Sequence, residues 1–144
     1  MRVIIQRCLE ASVTASNLLV GQIGKGLMIL VGFTAGDNIE TINYLVKKII
    51  NLRIFDDSQG IMNKSLLDID GSILSVSQFT LYADTSRGNR PSYILAMDSN
   101  KAKLLYDEFN NALRDKVKVE TGIFGSDMQV SLINDGPVTI TLER

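Results

Sequence analysis

The longest apolar stretch of the chain reads Gly26-Leu27-Met28-Ile29-Leu30-Val31-Gly32-Phe33. Its aliphatic residues follow one another without polar alternation, which is typical of a strand buried on both faces. The stretch is strand-length and far too short to span a bilayer. The sequence therefore predicts a central buried strand.

Strand patterns lie on both sides of this stretch. Arg2 to Gln6 is β-branched, and Ala11 to Ala15 with Leu18 to Ile23 predicts a hairpin that turns at Ser16-Asn17. Ile73 to Phe79 again has strand character. The segment from Leu52 to Ile73 is rich in turn-forming residues and includes Asp56-Asp57, which we interpret as turn chemistry rather than as a catalytic carboxylate pair.

Two helices interrupt the strands. Asp37 followed by Glu40 forms a capping box, and an apolar face with helical spacing then runs from Ile39 to Ile50. A second helix is predicted over roughly Asn100 to Arg114 from its apolar stripe.

Three further strands are predicted at the C-terminal end: Val117 to Thr121, Met128 to Ile133 and Val138 to Leu142, the last two joined by a turn at 134–137. About eight strands and two helices predict an α+β fold with a barrel-like, mostly antiparallel sheet. With 144 residues and one continuous pattern, we expect a single domain over residues 1–144.

The composition excludes several kinds of chemistry. The chain has no histidine and a single cysteine, Cys8, so imidazole-based triads, Cys-rich zinc sites and intramolecular disulfides are ruled out. No metal or other cofactor is expected. A net charge of −1 gives no strong field for polyanions. The N-terminal apolar run is too short for a signal peptide, so we expect a cytoplasmic protein with no membrane partner.

Two segments break the local rules for their elements, and such breaks often mark function. Ser75-Val76-Ser77-Gln78-Phe79-Thr80-Leu81 ends a strand in consecutive polar residues, as either an edge strand or a polar site would. Asn134-Asp135-Gly136-Pro137-Val138-Thr139 places proline directly after a turn glycine. That pattern fits an ordinary turn, or a cis Gly-Pro bond whose neighbouring carbonyls form a rigid acceptor pair.

With Ser77-Gln78-Phe79-Thr80-Leu81 and Asn134-Asp135-Gly136-Pro137-Val138-Thr139, in this order and spacing, the chain resembles the D-aminoacyl-tRNA deacylase family. The supporting matches are Gln6-Arg7, Arg53-Ile54-Phe55, Arg87-Gly88-x-Arg90-Pro91-Ser92, Thr121-Gly122-x-Phe124-Gly125 and Asp127-Met128-Gln129-Val130-Ser131-Leu132. The resemblance runs from the first residue to the last. Cys8, which stands where we expect a bulkier aliphatic residue, is the main departure.

The resemblance implies an editing hydrolase that cleaves the ester of D-aminoacyl-tRNA, and of mischarged glycyl-tRNA, while rejecting L-aminoacyl-tRNA. It implies a homodimer with active sites at the subunit interface, and the acceptor end of tRNA as partner. Gly136-Pro137, in cis, is expected to enter the partner's pocket and exclude an L side chain, braced by Arg7. Ser77, Gln78, Phe79 and Thr80 are expected to form the pocket floor, and Phe124 to stack on the terminal adenine.

Two mechanisms are consistent with these residues. Backbone N–H groups of Phe79 and Thr80 can hold the ester carbonyl while the adenosine 2′-hydroxyl helps to deliver water, or the Thr80 hydroxyl can attack and form an acyl-enzyme. We favour the first, because no base near Thr80 is evident in the sequence. Arg87, Arg90, Lys101 and Lys103 are the candidate phosphate contacts. The rival functions are a non-catalytic module that binds tRNA ends or D-amino acids, and a general esterase using Ser77 or Thr80.

Overall fold

A computed structural model describes residues 1–144. The strands and helices, in chain order, are β1 (Arg2–Ala15), β2 (Leu18–Ile23), β3 (Gly26–Gly32), α1 (Ile39–Asn51), β4 (Phe55–Asp56), β5 (Met62–Lys64), β6 (Ser72–Ser77), α2 (Ser99–Arg114), β7 (Val119–Thr121) and β8 (Met128–Glu143). Short 3-10 turns cover Leu67–Ile69 and Phe79–Tyr82. The α+β class with two helices is confirmed.

The main sheet is built around the long strand β1. One edge of β1 pairs antiparallel with β3 and then with β2, and β8 pairs antiparallel with β1 along its other edge. β6 pairs parallel with β3, and β7 pairs parallel with β6. These parallel pairs need crossover connections, and α1 and α2 lie within them.

The sheet curls so that β2 approaches β7. A Cβ atom added at Gly21 would lie 3.1 Å from the Thr121 carbonyl oxygen, which is closer than most side chains allow. Glycine at this position permits the near-closed, barrel-like arrangement. One hydrophobic cluster packs the helices against the sheet, and a smaller cluster that includes Val13, Leu74 and Val76 fills the inside of the curl.

Two local predictions were wrong. The segment 128–142 is not a hairpin, since β8 continues through Asn134-Asp135-Gly136-Pro137 and pairs with β1 on both sides of it. The N-cap of α1 is Asn38, whose side chain accepts from the Glu40 and Thr41 amides. Asp37 instead accepts from the Thr34 amide and pairs with the N-terminal amine. In both places a long-range pairing overrode a local signal.

The turn chemistry predicted for Asp56-Asp57 is confirmed at Asp57, whereas Asp56 ends strand β4. The Asp57 carboxylate accepts from the Gln59 and Ile61 amides, and these bonds hold the pKa of Asp57 below its ordinary value.

Cys8 is buried, and desolvation raises the pKa of its thiol. Neither helix has the length and hydropathy needed to cross a membrane.

Candidate active site

The strand β6 ends in a short turn that leaves two backbone donors free. The Gln78 amide donates to the Val31 carbonyl at 2.7 Å, and the 3-10 turn Phe79–Tyr82 begins directly afterwards. The first N–H groups of a helical turn have no acceptor within the turn. Neither the Phe79 nor the Thr80 N–H donates to any other segment. Two adjacent N–H groups are therefore available to an external oxygen.

This turn is held closely against the sheet. A Cβ atom at Gly32 would meet the Gln78 carbonyl oxygen at 2.9 Å, so only glycine lets the turn lie so close to β3. Arg2 donates to the Leu81 carbonyl at 2.5 Å, and its guanidinium lies 4.8 Å from the centre of the Tyr82 ring. Burial raises the pKa of Tyr82 to about 12.

A cavity of about 530 Å³ opens beside the turn. Of the residues predicted for the site, Ser77, Gln78, Phe79 and Phe124 line it. Its other lining residues are Val31, Gly32, Phe33, Val76, Met97, Ser99, Ala102, Gly125, Ser126, Asp127, Met128 and Val130. Nine of the sixteen lining residues are hydrophobic and Asp127 is the one ionisable side chain among them, so the wall is mainly apolar.

Thr80 is adjacent to this cavity but does not line it. Its hydroxyl accepts a hydrogen bond from the Gln78 side-chain amide. No carboxylate, amine or imidazole is hydrogen-bonded to the Thr80 hydroxyl. The arrangement offers nothing to remove a proton from this hydroxyl.

The second motif forms a bulge within β8. Four residues, Asp135 to Val138, lie opposite Arg7 alone, because the ladder passes from Cys8–Asn134 directly to Gln6–Thr139. The Gly136–Pro137 peptide bond is cis, and both residues are exposed. The Val138 amide donates to the Asn134 side chain at 2.9 Å, which closes the bulge internally.

Arg7 lies beneath this bulge and is 6% exposed. It donates to the Asp135 carbonyl at 2.9 Å and to the Ile54 carbonyl at 2.7 Å. It also forms ion pairs with Asp56 at 3.4 Å and with Asp135 at 3.3 Å. A Cβ atom at Gly136, where φ is +125°, would lie 2.9 Å from the Arg7 guanidinium. The guanidinium thus connects the bulge with the segment 54–56.

The structure does not bring the two motifs together within one chain. Ser77 pairs with Val31, which pairs with Val3, whereas the bulge lies opposite Arg7. Arg7 lies four positions beyond Val3, or roughly 13 Å along the strand, and the three strand spacings from β6 to β8 amount to roughly 14 Å across the sheet. The cavity and the Gly136-Pro137 bulge are separate features of the surface of the chain.

The candidate phosphate contacts are all exposed. Arg87 and Arg90 lie in the loop after the turn Phe79–Tyr82, and Lys101 and Lys103 lie in the first turns of α2. Lys103 is paired with Asp107 at 2.6 Å, and the other three form no ion pair. No group of three or more His, Cys, Asp or Glu side chains is arranged to hold a metal ion.

Sequence reasoning missed the far wall of the cavity. Met97 lies just before α2, Ser99 and Ala102 lie in its first turn, and Ser126 and Asp127 lie in the loop before β8. Only the crossover through α2 brings these residues to the end of β6. Asp127 is the first residue of the motif at 127–132 that supports the family resemblance, and this is the one sequence signal that could have suggested its place in the wall.

Comparison with known proteins identifies the class. The family model for D-Tyr-tRNA(Tyr) deacylase matches residues 4–143. A solved structure described as "c-Myc DNA Unwinding Element Binding Protein" is 40% identical, with a TM-score of 0.95 over 100% of this chain and 99% of that chain. Another, described as a probable eukaryotic D-amino acid tRNA deacylase, is 20% identical, with a TM-score of 0.83 over 98% of this chain and 97% of that chain, and shares the fold.

The chain therefore belongs to the D-Tyr-tRNA(Tyr) deacylase family. It is a carboxylic ester hydrolase of the D-aminoacyl-tRNA deacylase type, an enzyme of tRNA editing.

Proposed function

We propose that this enzyme hydrolyses the ester of D-aminoacyl-tRNA at the cavity beside β6, with the Phe79 and Thr80 N–H groups holding the ester carbonyl. The supporting observation is that these adjacent donors lie free at the start of the turn Phe79–Tyr82. As negative charge develops on the carbonyl oxygen, two preorganised donors stabilise it. Water adds to the carbonyl carbon, the ester bond breaks, and the tRNA ribose oxygen leaves with a proton.

An activated ester needs little further catalysis beyond positioning. In this proposal the adenosine 2′-hydroxyl helps to deliver the water, so no side-chain base is required. The competing acyl-enzyme route needs a deprotonated Thr80. The Thr80 hydroxyl is adjacent to no base and already accepts a bond from Gln78, which favours the first route.

The same proposal places the Gly136-Pro137 bulge of one subunit at the cavity of a second copy. Both residues project from the surface and lie away from their own cavity. The outer edge of β8 has no strand partner within the chain, and unpaired edges favour association. Apolar side chains are also exposed at the turn: Phe79 is 58% exposed, and its ring packs against that of Tyr93, which is 42% exposed. A homodimer would cover these surfaces and complete two equivalent sites.

In such a site, chirality is selected by exclusion. The bulge, supported by Arg7, would occupy the space that an L side chain needs while its carbonyls hold the substrate amino group. Glycyl-tRNA has no side chain to exclude, so it is expected to be cleaved in part. The rigidity required for exclusion is supported by the two carbonyls and two carboxylates that hold the Arg7 guanidinium.

The tRNA is proposed to bind through its single-stranded acceptor end. Phe124 lines the cavity and is half-buried, which suits stacking on the terminal adenine. Arg87, Arg90, Lys101 and Lys103 are the proposed phosphate contacts, and we place the whole single-domain enzyme in the cytoplasm. The net charge of −1 fits an end-binding mode with few phosphate contacts. It gives no support to binding of a DNA element, as named for the 40% identical structure.

The test is parallel incubation with D-Tyr-tRNA, L-Tyr-tRNA and Gly-tRNA, following loss of the ester. We expect rapid loss for D-Tyr-tRNA, partial loss for Gly-tRNA and none above background for L-Tyr-tRNA. Equal cleavage of both Tyr enantiomers would contradict exclusion. Binding of D-Tyr-tRNA without turnover would instead support a non-catalytic module, and cleavage of simple esters would support a general esterase.

A further inference from the structure

Phe124 lies on a turn with few anchors of its own. The Ser126 amide donates to the Ile123 carbonyl at 3.2 Å, and Gly125 has φ +75°, so Phe124 lies in the first central position of a β-turn. Just before the turn, the Gly122 amide donates to the Ser75 carbonyl at 3.0 Å. The orientation of the Phe124 ring must therefore come from side-chain packing.

That packing comes from Tyr106 on α2. Tyr106 is 3% exposed, and its ring centre lies 5.7 Å from that of Phe124 at an interplanar angle of 45°. This separation is within the range of a favourable aromatic pair. The Tyr106 hydroxyl donates to the Ser75 carbonyl at 2.8 Å. Burial raises the pKa of Tyr106, so the hydroxyl keeps the proton it donates at neutral pH.

The Ser75 carbonyl is thus shared by both sides of the cavity. It accepts from Gly122, which leads into the Phe124 turn, and from Tyr106, whose ring packs against Phe124. Two residues further along β6, Ser77 lines the cavity. A carbonyl has two lone pairs, so both bonds can form at once.

We propose that Tyr106 is a positioning residue for the adenosine subsite, where it fixes the Phe124 ring relative to the end of β6. This inference rests on the proposed function, in which Phe124 stacks on the terminal adenine. Tyr106 contacts neither the ester nor the free N–H groups of the turn. Its loss is therefore expected to weaken binding of the adenosine end and to leave the chemical step nearly unchanged.

The variant Tyr106→Phe isolates the hydroxyl, because the ring remains and the Ser75 carbonyl keeps its bond from Gly122. We expect its KM for D-Tyr-tRNA to rise about three- to tenfold, with kcat within about twofold of the parent. The matched control is Tyr44→Phe on α1, which removes the hydroxyl of a tyrosine that is 46% exposed and does not line the cavity, and should change neither constant. A fall in kcat with unchanged KM would show a merely structural role and overturn the proposal.

A second measurement needs no turnover. Calorimetry with the non-hydrolysable probe 3′-deoxy-3′-(D-tyrosylamino)adenosine should give weaker binding for Tyr106→Phe and for Phe124→Leu. Their effects should be less than additive in the double variant, since one acts through the other. Fully additive effects, or unchanged binding in Tyr106→Phe, would overturn the proposal. If the parent binds the probe but does not cleave D-Tyr-tRNA, the proposed function fails while the positioning role can still be judged.

Discussion

The turn after β6 and the bulge in β8 both interrupt regular strand backbone. They differ in whether their backbone hydrogen-bonding groups have partners within the chain. The turn after β6 is concave, borders a cavity of about 530 Å³ and leaves the Phe79 and Thr80 N–H groups without acceptors. The bulge is convex, and its backbone is bonded internally by Asn134 and from below by Arg7. Its exposed tip is Gly136-Pro137. One region has the features of a receptor and the other those of a rigid insert, which is why we propose that two subunits complete each other's sites.

The largest expected effect tests the free donors of the first region. Phe79→Pro removes one N–H at the first position of a 3-10 turn, where proline is tolerated. Phe79→Ala removes the same ring and keeps the N–H. We expect kcat for Phe79→Pro to be about 10²- to 10³-fold below that of Phe79→Ala. Equal rates in the two variants, both folded, would show that this N–H does not hold the ester.

The next experiment tests whether the second region acts on the partner subunit. Gly136→Val should reduce deacylation by about a hundredfold, because a side chain at φ +125° clashes with Arg7 and displaces the bulge. A heterodimer with Gly136→Val on one subunit and Phe79→Pro on the other would retain one intact composite site. We expect it to recover about half of the parental activity per dimer.

The matched control carries both substitutions on one subunit and neither on its partner. If sites are shared across the interface, this heterodimer has no intact site and is inactive. If each site lies within one chain, the two results are reversed, with the control half-active and the first heterodimer inactive. Sedimentation of the same samples checks that all are dimers.

A smaller effect is expected at the Thr80 side chain. Thr80→Val removes the acceptor of the Gln78 amide but leaves the backbone N–H, so kcat should remain within about tenfold of the parent. Mass spectrometry during turnover should show no acyl adduct. A loss beyond about a thousandfold in a folded protein, or an adduct on Thr80, would establish the covalent route.

The last effect concerns alkaline stability rather than activity, and it arises from the first region and not from the bulge. Unfolded tyrosine titrates near pH 10, whereas the pKa of folded Tyr82 is about 12. Between pH 10 and 12, Tyr82 is deprotonated in the unfolded state and still protonated in the folded state. The contribution of Tyr82 to the free energy of unfolding is therefore complete below pH 10 and is lost as pH rises through 12. The loss is about 2–3 kcal/mol at most.

Urea unfolding at pH 8 to 12 measures how the free energy of unfolding falls with pH. In Tyr82→Phe, the part of this fall that comes from Tyr82 should be absent. The buried Tyr82 hydroxyl has no hydrogen-bond partner, so the variant should be as stable as the parent at pH 8, or slightly more so. An unchanged alkaline slope would show that Tyr82 does not titrate in this way. Tyr106, whose pKa burial also raises, accounts for part of the slope that remains.

Much of the fold followed from periodicity, because periodicity records local burial. The hairpin turning at Ser16-Asn17, the helix over 39–51 and the helix over 99–114 lie where the spacing of apolar residues predicted them. The errors occurred where local and long-range signals compete. Asn-Asp-Gly-Pro is strong turn chemistry, yet pairing of β8 with β1 on both sides keeps it within one strand as a bulge.

By itself, the sequence determined the chemical repertoire. The absence of histidine, the single cysteine and the two motifs are properties of composition and order, which folding cannot alter. The tertiary structure alone decided which groups meet. The α2 crossover brings Ser99 and Ala102 to the end of β6, and the register of β1 places Arg7 beneath Gly136. The Ser75 carbonyl becomes shared by Gly122 and Tyr106 in the same way. Such contacts depend on strand register and chain crossover, and these are set by the packing of distant segments rather than by any local pattern.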